Sequence, residues 1–174
     1  MGYTQKKDMK SSQILKNAQN AQVLAFRLFP GEKWISIDQH IFMATSRAPR
    51  SRNQSKILEK EIAQARILTA LGHTVYLLPE FGPQKTKHPD AIVDGKIMEF
   101  KTVSGNKKKI DENYKEAREK AENVFLQINP HYSHKTVAGR LSDIIRRKSY
   151  KSGLIWVYFK NTGKMAYWTV EGLK

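Results

Sequence analysis

Apolar positions along the chain fall in short clusters separated by polar punctuation, and the clusters change period several times. Residues 23 to 45 read as short strands around a Pro30-Gly31 turn, with Trp34, Ile35 and Ile37 supplying β-type content. Gln54 to Leu71 switches to helical spacing, and Gly72 stands where a helix C-terminus favours glycine. TVYLLP (74–79) is a short, nearly continuous apolar run, the pattern of a buried strand. After a loop rich in Pro, Lys and Gly, PDAIVDGKIMEFK predicts a hairpin, because Asp94-Gly95 is a preferred two-residue type I′ turn. A charged helix over about 111–122, a strand NVFLQI (123–128), a loop at Pro130 and a basic helix around 136–148 follow. GLIWVYF and KMAYWTV, joined by Asn161-Thr162-Gly163, close the chain as a second hairpin. Helix, three strands, helix, strand, helix, two strands predicts the α/β (α+β) class, built around one sheet. Residues 1–22 are polar throughout and read as an N-terminal segment or linker, with 23–174 as one domain.

Composition agrees with a folded domain. The 174 residues are 40% hydrophobic and 10% aromatic, which sets the chain apart from a disordered basic tail lacking the apolar area to offset chain entropy. No apolar run approaches the roughly 20 residues of a membrane span. Residues 1–22 hold no apolar signal-peptide core, and Lys6 stands where a myristoylation signal wants Ser or Thr. Cysteine is absent, which excludes disulfides, thiolate chemistry and Cys-ligated zinc.

Charge changes the picture more. Lys and Arg number 31 against 16 Asp and Glu, a net charge of +15 that calls for a polyanionic partner. Its distribution is uneven: residues 1–56 carry 10 basic and 3 acidic side chains (+7), 57–130 carry 12 and 11 (+1), and 131–174 carry 9 and 2 (+7). A nearly neutral middle that keeps 11 of the 16 acids has a different task from its flanks.

The predicted hairpin shows what that task is. Counting outward from Asp94-Gly95, Val93 faces Lys96, Ile92 faces Ile97, Ala91 faces Met98 and Asp90 faces Glu99. Opposed residues lie about 5 Å apart at Cβ and share a face, which Lys101 joins two positions on. Ala91, Val93, Met98 and Phe100 form the apolar face. Opposed like charges are destabilising. A divalent cation between Asp90 and Glu99 removes the conflict, since Mg²⁺ takes one or two carboxylates and completes its shell with water and phosphate oxygens. Such an ion polarises a phosphoryl oxygen while Lys101 orients water or offsets developing charge. The plainer alternative is a solvated strand face on which Lys101 partly neutralises two acids.

The preceding helix adds a third acid. At about 100° per residue, Ile57, Leu58, Ala65 and Leu68 lie within about 60° of Glu61, whereas Glu59 falls on the opposite face. A carboxylate in an apolar stripe needs a partner, either a cation or a metal, unless it reaches solvent.

Glu61 on a helix, a strand, Pro89-Asp90, a short hairpin and Glu99-Phe100-Lys101 together resemble the PD-(D/E)xK phosphodiesterase superfamily over roughly residues 53–130. ALGHTVYLLPE followed by PDAIVDGKIMEFKT is similar, more narrowly, to C-terminal tRNA-nuclease domains of contact-dependent growth-inhibition toxins. The resemblance implies a restriction-endonuclease-like fold, a mixed sheet flanked by helices, and a metal-dependent endonuclease. In it Asp90 and Glu99 are metal ligands, Lys101 is the catalytic lysine and Glu61 the helix acid, with Glu59 and Glu80 as alternatives. The ion implied is Mg²⁺, with Mn²⁺ or Zn²⁺ as alternatives, and the substrate implied is RNA, tRNA in particular, over DNA. It also implies action in the cytoplasm after delivery from a secreted precursor, and an acidic immunity or inhibitor protein as a partner. A DNA endonuclease of restriction or resolvase type, using the same residues, and a non-catalytic nucleic-acid-binding protein are the competing readings.

The remaining candidates are weaker. His131 and His134 in NPHYSH would have to converge from a Pro-bounded loop to bind metal, and His88 reads as a loop histidine. Lys107 to Lys109 suits either solvent or a phosphate backbone. Arg47, Arg50 and Arg52, and Arg146 to Lys148 beside Tyr150, suit a nucleic-acid backbone, although helix C-termini also favour the second group. Trp156, Tyr158, Phe159, Tyr167 and Trp168 read as core before they read as a stacking platform.

Overall fold

The computed structural model describes residues 10–79 and 88–174, so the Pro/Lys/Gly loop and Glu80 lie outside the described residues. The fold is mixed α+β, with four α-helices and eight strands among the described residues and both parallel and antiparallel strand pairs. The described chain divides into two compact units, one ending at Met98 and the other running Glu99–Lys174.

The first unit opens with a helix, α1 (Ser11–Leu28), where polar sequence and then short strands were expected. Its buried positions are Asn17, Ala21 and Ala25. Alanine buries little area, so this face carries almost no hydropathy signal, yet alanine is the best helix former. Ala21 and Ala25 pack with Tyr76, Leu78 and Ile92, and Trp34 and Phe42 flank the cluster. Strands β1 (Trp34–Asp38) and β2 (Ile41–Ala44) pair antiparallel, a 3-10 turn follows at Thr45–Arg47, and then comes α2 (Arg52–Thr69). The Ser51 hydroxyl caps α2 by accepting from the Gln54 N–H at 3.2 Å. At its other end Gly72 takes φ +91°.

β3 (Val75–Leu77) runs parallel to β2 and antiparallel to β4 (Ala91–Val93), which pairs with the start of β5 (Lys96–Val103). The observed register is Ala91↔Met98, Ile92↔Ile97 and Val93↔Lys96, as counted from the turn. Asp94 (φ +52°) and Gly95 (φ +84°) both take the left-handed values of a type I′ turn. The Asp94 carboxylate accepts from the Thr74 N–H at 2.9 Å and lies 2.6 Å from His73 Nδ1, tying the turn to the strand before it.

The second unit takes the rest of β5, then α3 (Lys108–Arg118), β6 (Asn123–Ile128), α4 (His134–Lys148), β7 (Leu154–Phe159) and β8 (Lys164–Thr169). β6 and β7 are parallel with α4 as their crossover, and β7 and β8 form the predicted hairpin. Ile110 and Tyr114 of α3 and Leu141 and Ile145 of α4 pack with Leu126, Val157 and Phe159. No helix among the described residues is long and apolar enough to cross a membrane.

Candidate functional site

In the first unit the organising side chain is Arg47. It is buried, and its guanidinium forms a buried ion pair with Glu61. The same group donates to the Leu78 carbonyl and, at 3.1 Å, to the Asp90 carbonyl. One cation thus joins the middle of α2, the end of the β3 strand and the backbone of Asp90. Glu61 is 8% exposed and shares its face with Gln64, Ala65 and Leu68, while Glu59 is exposed, as the stripe geometry predicts. The partner that burial demanded is a guanidinium. Arg47 is correspondingly removed from the set of nucleic-acid contacts suggested by the sequence, whereas Arg50 and Arg52 are exposed. Its direction could not be read from the sequence because it depends on the 3-10 turn that follows β2.

In the second unit Glu99 is 1% exposed in spite of its charge. Its Oε1 lies 2.7 Å from Lys120 Nζ and 3.5 Å from Lys101 Nζ, and Lys101 also approaches Glu116 at 3.6 Å. Two ammonium groups beside one carboxylate supply the partners that a buried acid needs. The contact between Glu99 and Lys101 follows from the two-residue period of a strand. Lys120 comes from beyond the end of α3, a non-local approach with no signal in the sequence. Phe100, between the two, points the other way and meets Phe125 edge-on at 5.5 Å.

The lesser candidates sort out. His134 stacks on Phe159 with 4.0 Å between ring centroids, and burial, helped by Lys164, lowers its pKa. Its imidazole is a packing element. Lys109 pairs with Glu112 at 2.5 Å on an exposed turn of α3. Trp156 and Phe159 are buried, as a core reading requires, while Tyr167 remains exposed. Arg140 and Arg147 reach Asp111. Among the described residues no group of three or more His, Asp or Glu side chains is arranged to hold a metal ion.

Residues 87–164 match the family described as the contact-dependent growth inhibition CdiA C-terminal domain. Asp90, Glu99, Lys101 and Lys120 lie inside that segment, and Glu61 and Arg47 lie outside it. Among solved structures the chain is similar to the CdiA-CT/CdiI toxin and immunity complex from Burkholderia pseudomallei, at 17% identity and a TM-score of 0.48, covering 79% of this chain and 96% of that one. No curated protein matches.

Proposed function

We propose that the chain is a metal-dependent nuclease of the PD-(D/E)xK type, acting as a growth-inhibiting toxin domain on RNA, with tRNA its favoured substrate. The observation that carries the reading is the hairpin register: Ala91 pairs with Met98, Asp90 immediately precedes β4, and Glu99 follows Met98 on β5. Both donors are carboxylates, and two carboxylates with substrate oxygens are what a hard cation such as Mg²⁺ takes. Asp90 and Glu99 would hold such an ion, and the chemistry it would supply is polarisation of a phosphoryl oxygen and activation of water. Glu99 holds Lys101 through the 3.5 Å ion pair, so the ammonium is positioned to orient water and offset charge developing on the phosphate. Arg47, fixed by Glu61, holds the backbone of Asp90. In this reading Glu61 acts through that guanidinium, as a positioning residue. The matched segment supports a role in growth inhibition and, with it, delivery from a secreted precursor to the cytoplasm of a target cell. A net charge of +15 favours an acidic immunity protein as the neutralising partner.

The test is cleavage of total cellular RNA and of plasmid DNA, side by side, with Mg²⁺ and with EDTA. RNA cleavage abolished by EDTA is expected, and selective DNA cleavage would instead favour the restriction or resolvase reading. Lys101→Ala should lower cleavage by about 100-fold or more. Its thermal midpoint should hold, because Lys120 still neutralises Glu99. Near-wild-type cleavage by that variant would sink the assignment. The double pairing of Glu99 also favours a second reading, a nucleic-acid-binding protein whose acids are structural. That reading predicts binding without cleavage under any divalent ion.

A further inference from the structure

The described residues hold one cluster of cations whose geometry exceeds what local stability needs. Asp111, in the first turn of α3, is 13% exposed at its side chain and receives two arginines from α4. Arg140 donates to it from Nε at 2.9 Å and from Nη2 at 2.6 Å, a bidentate clasp, and Arg147 adds Nη2 at 2.8 Å. Arg146 is held by Asp143 at 2.6 Å. These residues, Arg140, Asp143, Arg146 and Arg147, line an open concavity of about 530 Å³.

A helix C-terminus favours cations in its last turn, which accounts for the presence of Arg146, Arg147 and Lys148. It does not account for Arg140, which is two turns earlier, or for Arg147 reaching back to another helix. Arg140 spends Nε and Nη2 on Asp111, Arg147 gives Nη2 to Asp111 and Nε to the Asp143 carbonyl at 3.4 Å, and Arg146 gives Nη2 to Asp143, which leaves each five-donor guanidinium with further N–H groups. Arg146 and Arg147 remain 64% and 61% exposed at the side chain. Three neighbouring guanidinium groups, each anchored to an acid and each with N–H donors to spare, suit phosphate, which arginine recognises bidentately.

We propose that Arg140, Arg146 and Arg147 form a docking surface for the phosphodiester backbone of the nucleic-acid substrate, with Asp111 preorganising Arg140 and Arg147. The proposal rests on the nuclease reading only in taking nucleic acid as the substrate. It is tested by fluorescence anisotropy with a labelled RNA hairpin and the same-sequence DNA hairpin, in EDTA so that binding is read without cleavage. Arg146→Gln/Arg147→Gln should weaken binding by roughly tenfold or more and reduce the slope of log affinity against log salt by about two. Lys10→Gln/Lys16→Gln, which removes two exposed cations from the region of α1, should change binding far less. Equal losses in the two double variants would reduce the effect to net charge and overturn the surface.

Asp111→Asn separates preorganisation from simple attraction, because the two predict opposite signs. Removing a negative charge should tighten binding if charge alone acts, and should weaken it several-fold if the carboxylate aligns the arginines. Tightened or unchanged binding, with an unaltered thermal midpoint, refutes the role of Asp111. If that variant does not fold, the Arg146→Gln/Arg147→Gln result still decides the surface. Wild-type protein that binds neither hairpin removes nucleic acid as the substrate, whereas wild-type binding retained by the double variant removes this surface alone. An acidic protein partner for the same face would produce that second outcome.

Discussion

Arg47 and Glu61 show how far a single residue can be read from sequence. The helical stripe identifies Glu61 as an acid in need of a partner, and the structure supplies one 14 residues earlier, at the end of a 3-10 turn. The demand was legible because it follows from helix geometry and desolvation, both local. The answer was not, because it depends on how a short turn aims a long side chain. This pair makes a sharp prediction. Truncating either partner leaves the other charge buried, so Arg47→Met or Glu61→Gln should each cost about 3–5 kcal/mol in urea denaturation. Arg47→Met/Glu61→Leu should recover most of that loss, since a buried ion pair and an apolar pair of similar volume are often close in energy. A double variant as unstable as the singles would show that the guanidinium's bonds to the Leu78 and Asp90 carbonyls dominate. Cleavage measured on a stable double variant also separates a structural Glu61 from one needed for chemistry.

At the scale of elements, legibility tracked the strength of local signals. The Asp94-Gly95 hairpin, the buried strand at 75–77, the second hairpin and the four segments from α2 onward that carry branched or aromatic residues were all readable from period and turn chemistry. The first helix was not, because its buried face is alanine and asparagine and the nearby aromatic residues drew attention to strands. That helix also changes the meaning of Gly95. A Cβ built there would sit 3.0 Å from the Asn20 Cβ and 3.2 Å from the Asn20 backbone, so the residue answers to α1 as well as to its φ of +84°. Gly95→Ala therefore combines a left-handed backbone penalty of about 1–2 kcal/mol with a contact that α1 must yield to relieve. A loss larger than that penalty alone is expected in the unfolding free energy, together with faster amide exchange in α1. A loss confined to a few tenths of a kcal/mol would show that the helix lies further from the turn.

For the whole molecule, the uneven distribution of charge has a structural counterpart. Acids of the nearly neutral middle are engaged inside the fold: Glu61 by Arg47, Asp94 by His73, Glu99 by Lys120 and Lys101, and Asp111 by Arg140 and Arg147. The excess of cations therefore falls on exposed positions, which is what a partner made of phosphates meets. The same excess makes the chain sensitive to acid, and His134 gives that sensitivity a defined component. Its folded pKa lies below the unfolded value of about 6.5, so the unfolded chain binds more protons between the two. Its contribution is complete above about pH 6.5 and is lost as pH falls through the folded value. Urea midpoints should thus decline from about pH 7.5 to 5, and His134→Phe, which keeps an aromatic ring against Phe159, should flatten that decline. An unchanged pH slope in this variant would assign the decline to other groups. The hairpin, finally, has a consequence at the level of the gene. Side chains alternate faces along β5, so a single inserted codon between the Asp94-Gly95 turn and Glu99 would turn Glu99 and Lys101 to the side of Phe100 and bring Phe100 to theirs. Over those few codons the protein has more room for spelling changes than for changes in length.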